Sequence, residues 1–127
     1  MLLAHGSRSE ESNRFHARTC RQLTDSGDWP VVPAFLEMAE PTLLDAIGTA
    51  IADGAQRIVV LPYFLAPGRH VTEDVPELII EAGRRHPSVE IHVARLFGAG
   101  SEVLEAIDAQ INGIEAELDF GPPRSRP

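Results

Sequence analysis

Two histidines and a glutamate each stand shortly after a short apolar run. His5 follows Leu2–Ala4, Glu37 follows Val31–Leu36, and His70 follows the run Ile58–Leu61. Two imidazoles and a carboxylate suit a borderline divalent ion such as Co²⁺, Ni²⁺, Fe²⁺ or Zn²⁺, and they leave positions open for exchange. The same groups accept protons near neutrality, an unperturbed histidine titrating at about 6.5. Each also has a plainer use. A histidine in a turn can bond a backbone carbonyl, and a carboxylate ahead of a helix suits its positive end. What separates the two uses is whether the fold brings the three residues together.

Cations accompany them. Arg8 shares the turn that holds His5, Arg69 immediately precedes His70, and Arg95 lies near the end of a fourth apolar run. Guanidinium groups bind carboxylates bidentately, so such a rim could clamp a substrate that carries carboxylates. All 11 basic side chains are arginine. Without lysine, neither Schiff-base chemistry nor a P-loop is available.

The elements that must position these residues repeat as a short apolar run, a loop and a longer amphipathic stretch. Leu2–Ala4 predicts a first strand. Ser7 and Glu10 have the spacing of a capping box, and Phe15, Thr19 and Leu23 form the expected apolar face of the helix that follows. Val31–Leu36 predicts a second strand, with Pro33 favouring a sheet edge. Pro41 suits the first position of a second helix carrying Leu43, Leu44, Ile47, Ala50 and Ile51. Ile58-Val59-Val60-Leu61 predicts a strand buried on both faces. After Ala66-Pro67-Gly68-Arg69-His70 comes a third helix with Val75, Leu78, Ile79 and Ala82. Val89, Ile91 and Val93 alternate with Glu90 and His92 as in an edge strand. Gly98–Gly100 turns into a fourth helix with Val103, Leu104, Ile107 and Ile111.

Alternating β and α elements with short loops predict a parallel sheet covered by helices. The expected fold is α/β, a flavodoxin-like open sheet of four strands in order 2-1-3-4 with helices on both faces. Residues 1–118 make one domain, and 119–127, rich in proline and arginine, read as a disordered tail. In such sheets ligands bind beyond the carboxyl ends of the strands, where strand order reverses. With this order His5 and His70 flank the reversal and Glu37 adjoins it. His16, His86 and His92 are expected at the surface.

Composition narrows the classes. The chain has 127 residues, enough for a core without disulfides. A net charge of −8 argues against a general nucleic-acid binder. No apolar run approaches the length of a membrane span, and the start lacks the regions of a signal peptide. The single cysteine, Cys20, rules out an internal disulfide and a multi-cysteine zinc site, pointing to a reducing cytoplasm and a half-buried, inert thiol.

The stretches LLAHGSR, AFLEMAEPTL and RIVVLPYFLAPGRHVTEDVP, with the spacing between them, resemble the sirohydrochlorin cobaltochelatase/ferrochelatase family of class II chelatases. The resemblance runs from Leu2 to about Phe97 and is closest to the short, single-domain form, which pairs as a homodimer. It implies ATP-independent insertion of a divalent metal, Co²⁺ first and Fe²⁺ or Ni²⁺ as alternatives, into sirohydrochlorin for cobalamin or sirohaem. The metal is a substrate and no tightly bound cofactor is implied. His5 and His70 match the catalytic, metal-binding histidines and Glu37 an assisting carboxylate. Arg8, Arg69, Ser7 and Gly68 are the expected substrate contacts. The fourth loop departs from the family, since Ala99-Gly100-Ser101 stands where members often carry a histidine. Two other readings use the same residues. One is a metal or tetrapyrrole carrier. The other is a histidine phosphatase, although Ala4 occupies the place of that family's phosphate-binding arginine.

Overall fold

The computed structural model describes residues 1–118, apart from the side chains of His70 and Glu115; the tail expected at 119–127 lies outside the described residues. Four strands, β1 (Leu2–Ala4), β2 (Pro33–Phe35), β3 (Arg57–Pro62) and β4 (Glu90–Val93), alternate with helices α1 (Glu10–Ser26), α2 (Leu43–Ala52), α3 (Arg69–Arg85) and α4 (Ser101–Leu118). The sheet is parallel throughout and ordered β2-β1-β3-β4, as the sequence predicts. β1 therefore sits between β2 and β3, with Leu3 paired to Ala34 on one side and to Pro62 on the other.

Strand alternation divides the side chains between two faces. One face carries Leu3, Ala34, Ile58 and Val60, packed against Leu43, Ala46 and Ile47 of α2 and Val75 and Ala82 of α3. The opposite face carries Leu2 and Phe35, which pack beneath α1. Helix α1 turns a different side inward from the one its sequence suggests. Phe15 and Leu23 are exposed, whereas His16 and Cys20 are buried at 7% and 1%. The His16 ring nitrogen Nε2 bonds the Leu2 carbonyl at 2.9 Å, and its ring lies against Phe35 and Tyr63. A histidine expected in solvent is thus a core residue, because a strand carbonyl satisfies its polar edge. Cys20, expected to be half-buried, is fully so.

Helix starts also move. Ser9, not Ser7, caps α1, its side chain accepting from the Ser12 N–H at 3.4 Å. Ser7 instead closes the turn before it. Its Oγ accepts from the Ser9 N–H, and its backbone N–H and carbonyl are both bonded to Asn13. Thr42 caps α2, so Pro41 precedes the helix rather than opening it. β2 is shorter than the apolar run Val31–Leu36 and forms one edge, where Pro33 costs no ladder bond.

The largest departure concerns β3. Ile58 and Val60 are buried, but Val59 between them is 49% exposed. α1 covers β1 and β2 and leaves this face of β3 and β4 open. α4, the helix that could close it, packs against the short 3-10 turn Phe97–Ala99 and, among its described residues, buries only Val103. Among the described residues, no helix is long and apolar enough to cross a membrane.

Candidate functional site

His5 is the first residue beyond β1, and its place is fixed by backbone rather than by side-chain packing. Gly6, at φ 91°, turns the chain sharply, and a Cβ there would collide with the Glu37 carbonyl. Only glycine allows both the turn and the approach. The two loops are joined where the Glu37 N–H donates to the His5 carbonyl at 3.0 Å and the Leu36 N–H to that of Ala4 at 2.9 Å. On the β3 side, the Phe64 ring meets the His5 imidazole edge-on, with centroids 4.6 Å apart. The imidazole is held between two loops and is exposed to solvent.

His5 and Glu37 line the same open groove, about 420 Å³, together with Leu36 and a stripe of α3. That stripe is Asp74, Glu77, Leu78 and Glu81, whose spacing of three and four residues puts them on one helical face. Sequence reasoning passed over these three carboxylates, although the spacing D-x-x-E-x-x-x-E was legible. It took α3 only as an apolar-faced cover. Four carboxylates around one groove give a negative field that concentrates cations.

His70 is the second residue of α3, one turn before Asp74; its side chain lies outside the described residues. The other expected contacts stand apart from the groove. Arg8 is exposed and is not among the described groove-lining residues. Arg69 is exposed and lies 3.5 Å from Glu73, a weak surface pair. Gly68 caps α3, its carbonyl accepting from the Val71 and Thr72 N–H groups. Ser7 is engaged in the turn before α1. Among the described residues, no three His, Cys, Asp or Glu side chains are close enough to hold a metal ion by themselves. Among the described residues the arrangement therefore offers one accessible imidazole, several carboxylates and an open mouth.

The family profile of CbiX matches residues 1–114, nearly all of the described chain. The chain belongs to the CbiX family. Its relatives include the chloroplastic sirohydrochlorin ferrochelatase of Arabidopsis thaliana, 32% identical over 124 residues, covering 94% of this chain and 55% of that protein. Among solved structures, a putative cobalamin biosynthesis CbiX protein from Marinobacter aquaeolei VT8 superimposes with a TM-score of 0.78 at 30% identity, covering 94% of this chain and 96% of the other. The sirohydrochlorin chelatase SirB from Bacillus subtilis subspecies spizizenii, in complex with cobalt, superimposes with a TM-score of 0.76 at 30% identity, over 89% of this chain and 49% of SirB. The chain spans about half the length of the curated relatives it matches. Membership in CbiX accords with the class II chelatase resemblance carried by the histidine-bearing loops.

Proposed function

We propose that this chain inserts a divalent metal, Co²⁺ in preference to Fe²⁺ or Ni²⁺, into sirohydrochlorin without ATP, in cobalamin or sirohaem biosynthesis. The observation that carries the reading is the convergence of His5 and Glu37, from adjacent strands, on a groove walled by the α3 carboxylates. The cobalt bound by SirB and the chelatase names of the curated relatives support the same chemistry.

Insertion requires that the metal shed water and that two pyrrole N–H protons leave, so that M²⁺ and the free macrocycle give the metallated macrocycle and two protons. The carboxylate stripe gathers the hydrated cation, and His5 at the end of the groove takes it as a ligand. One imidazole lone pair serves one purpose at a time, so metal binding and proton acceptance at His5 are sequential. Neutral His5 accepts a pyrrole proton once the metal has moved on, and Glu37 beside it orients the ring or takes the second proton. His70 is the other histidine of this proposal. Arg8 and Arg69 meet the peripheral carboxylates of the macrocycle, outside the acidic groove where those groups would be repelled.

We also assign a second copy of the chain as partner, working in the cytoplasm. Leu104, Ile107, Ile111, Ile114 and Leu118 of α4 are each about half exposed or more, and they recur at alternating steps of three and four, the seam of a pairing helix. Phe15, Val59 and Tyr63 are further large apolar side chains left exposed. Ile107→Glu together with Ile111→Glu should leave only a monomer in sedimentation, and an unchanged dimer would place the contact elsewhere.

The test of the activity is an anaerobic titration of sirohydrochlorin with each metal in turn, followed by tetrapyrrole absorbance. Many metallated products per subunit support the proposal. Stoichiometric binding without turnover would make the protein a carrier instead.

A further inference from the structure

Two large apolar side chains stand in solvent on the loops to either side of His5. Met38, three residues past β2, is 54% exposed, and Leu65, three residues past β3, is 74% exposed. Because β1 lies between β2 and β3, the two loops leave the sheet roughly 10 Å apart with His5 between them.

Neither loop is loose. Met38 follows directly on the Glu37 backbone that is pressed against Gly6, and it is itself held at φ 60°, a conformation side-chain-bearing residues rarely adopt. Leu65 is held in the same way on the other side. A Cβ at Gly98 would collide with the Leu65 carbonyl, and the Gly98 N–H donates to the Phe64 carbonyl at 2.8 Å. In both loops a glycine of the neighbouring strand's loop grips the backbone while the apolar side chain is left outside. Burial explains neither residue. Rigid backbone beneath an exposed apolar group is how a fold presents a contact at low entropic cost.

We propose that Met38 and Leu65 are the apolar contacts that seat the flat ring of the tetrapyrrole over His5. The inference rests on the proposed function and deepens it by naming residues that determine substrate binding. A conjugated macrocycle has two apolar faces and an anionic rim. The groove suits it poorly, because four of its seven lining residues are the carboxylates Glu37, Asp74, Glu77 and Glu81, which repel an anionic rim. Its faces can be served by a thioether, which packs well on aromatic surfaces, and by a leucine, with the arginines left to the rim. The two reactants then approach His5 differently, the cation along the acidic groove and the macrocycle across the loop tips.

Met38→Gly is the informative variant, because glycine accepts φ 60° without strain and the change removes only the side chain. Combined with Leu65→Ala, it should raise KM for sirohydrochlorin about tenfold, leave the affinity for Co²⁺ alone unchanged, and leave thermal stability equal or higher. Met38→Leu should restore near-native KM. A double variant with the wild-type KM for sirohydrochlorin would overturn the inference while leaving the proposed activity standing. A loss of Co²⁺ affinity equal to the loss of sirohydrochlorin affinity would also overturn it, since it would mean a general disturbance of the His5 loop. Wild-type protein that metallates nothing would sink the proposed function itself.

Discussion

The N–H of Glu37 donates to the carbonyl of His5 over 3.0 Å, joining the loop after β2 to the loop after β1. Through this bond a residue from the edge strand and one from the interior of the sheet become neighbours on one groove. The contact is possible only because Gly6 carries no side chain where the Glu37 carbonyl passes.

Gly6→Ala should therefore damage both stability and function. The new Cβ meets backbone, which cannot swing away, and φ 91° is unfavourable for alanine. Loss of stability of about 2 kcal/mol is expected from a strain of this kind, read as a lowered denaturation midpoint, together with weakened Co²⁺ binding. A variant as stable and as active as the parent would show that the two loops are not held as described.

In the proposed function the carboxylates of α3 serve the cation and not the macrocycle. Replacing Asp74 by Asn and Glu77 and Glu81 by Gln should lower kcat/KM for Co²⁺ by about tenfold or more at low ionic strength, and the deficit should shrink as salt screens the wild-type field. KM for sirohydrochlorin should stay level or fall. A deficit independent of salt would argue against an electrostatic role.

His16 should behave as a core residue. His16→Ala removes a ring packed on Phe35 and Tyr63 and a bond to the Leu2 carbonyl. A cost of about 3 kcal/mol is expected by combining the cavity and hydrogen-bond contributions. Denaturant unfolding at constant slope would measure it, and a change under 1 kcal/mol would contradict the packing described.

Burial pushes the Cys20 thiol up. The native thiol should resist alkylation at mildly alkaline pH and react only when the chain is unfolded. An acid whose folded pKa is raised favours the protonated native state. Its contribution is complete below the unfolded pKa and is lost as pH rises through the folded value. The protein should therefore lose stability on the alkaline side, and Cys20→Ala should flatten that slope. Rapid labelling of native protein would show the thiol to be exposed.

Strand order, the parallel sheet and the placement of His5 and Glu37 at its carboxyl edge were legible in the sequence, because apolar runs alternating with helical stretches admit few connections. Local detail was less so. Ser7 and Ser9 both precede an acidic first turn, and which one caps α1 is decided by Asn13 gripping Ser7. Phe15 and Leu23 announced an inward face that His16 and Cys20 hold instead. The apolar pattern does not record that a strand carbonyl awaits an imidazole. Val59 read as buried because a β-branched run shows no gap, and no pattern within β3 reveals that α4 leaves its outer face open. The α3 carboxylates had the right spacing and were missed, since acidic residues on a helix read first as a solvated face.

The most direct test is His5→Ala, made in protein whose fold is checked by circular dichroism and assayed anaerobically with Co²⁺ and sirohydrochlorin. Loss of roughly 100-fold or more in the rate of metal insertion is the expected result, the scale of a lost ligand or base, with sirohydrochlorin still bound. Insertion within a few-fold of the wild-type rate would contradict the central place given to His5.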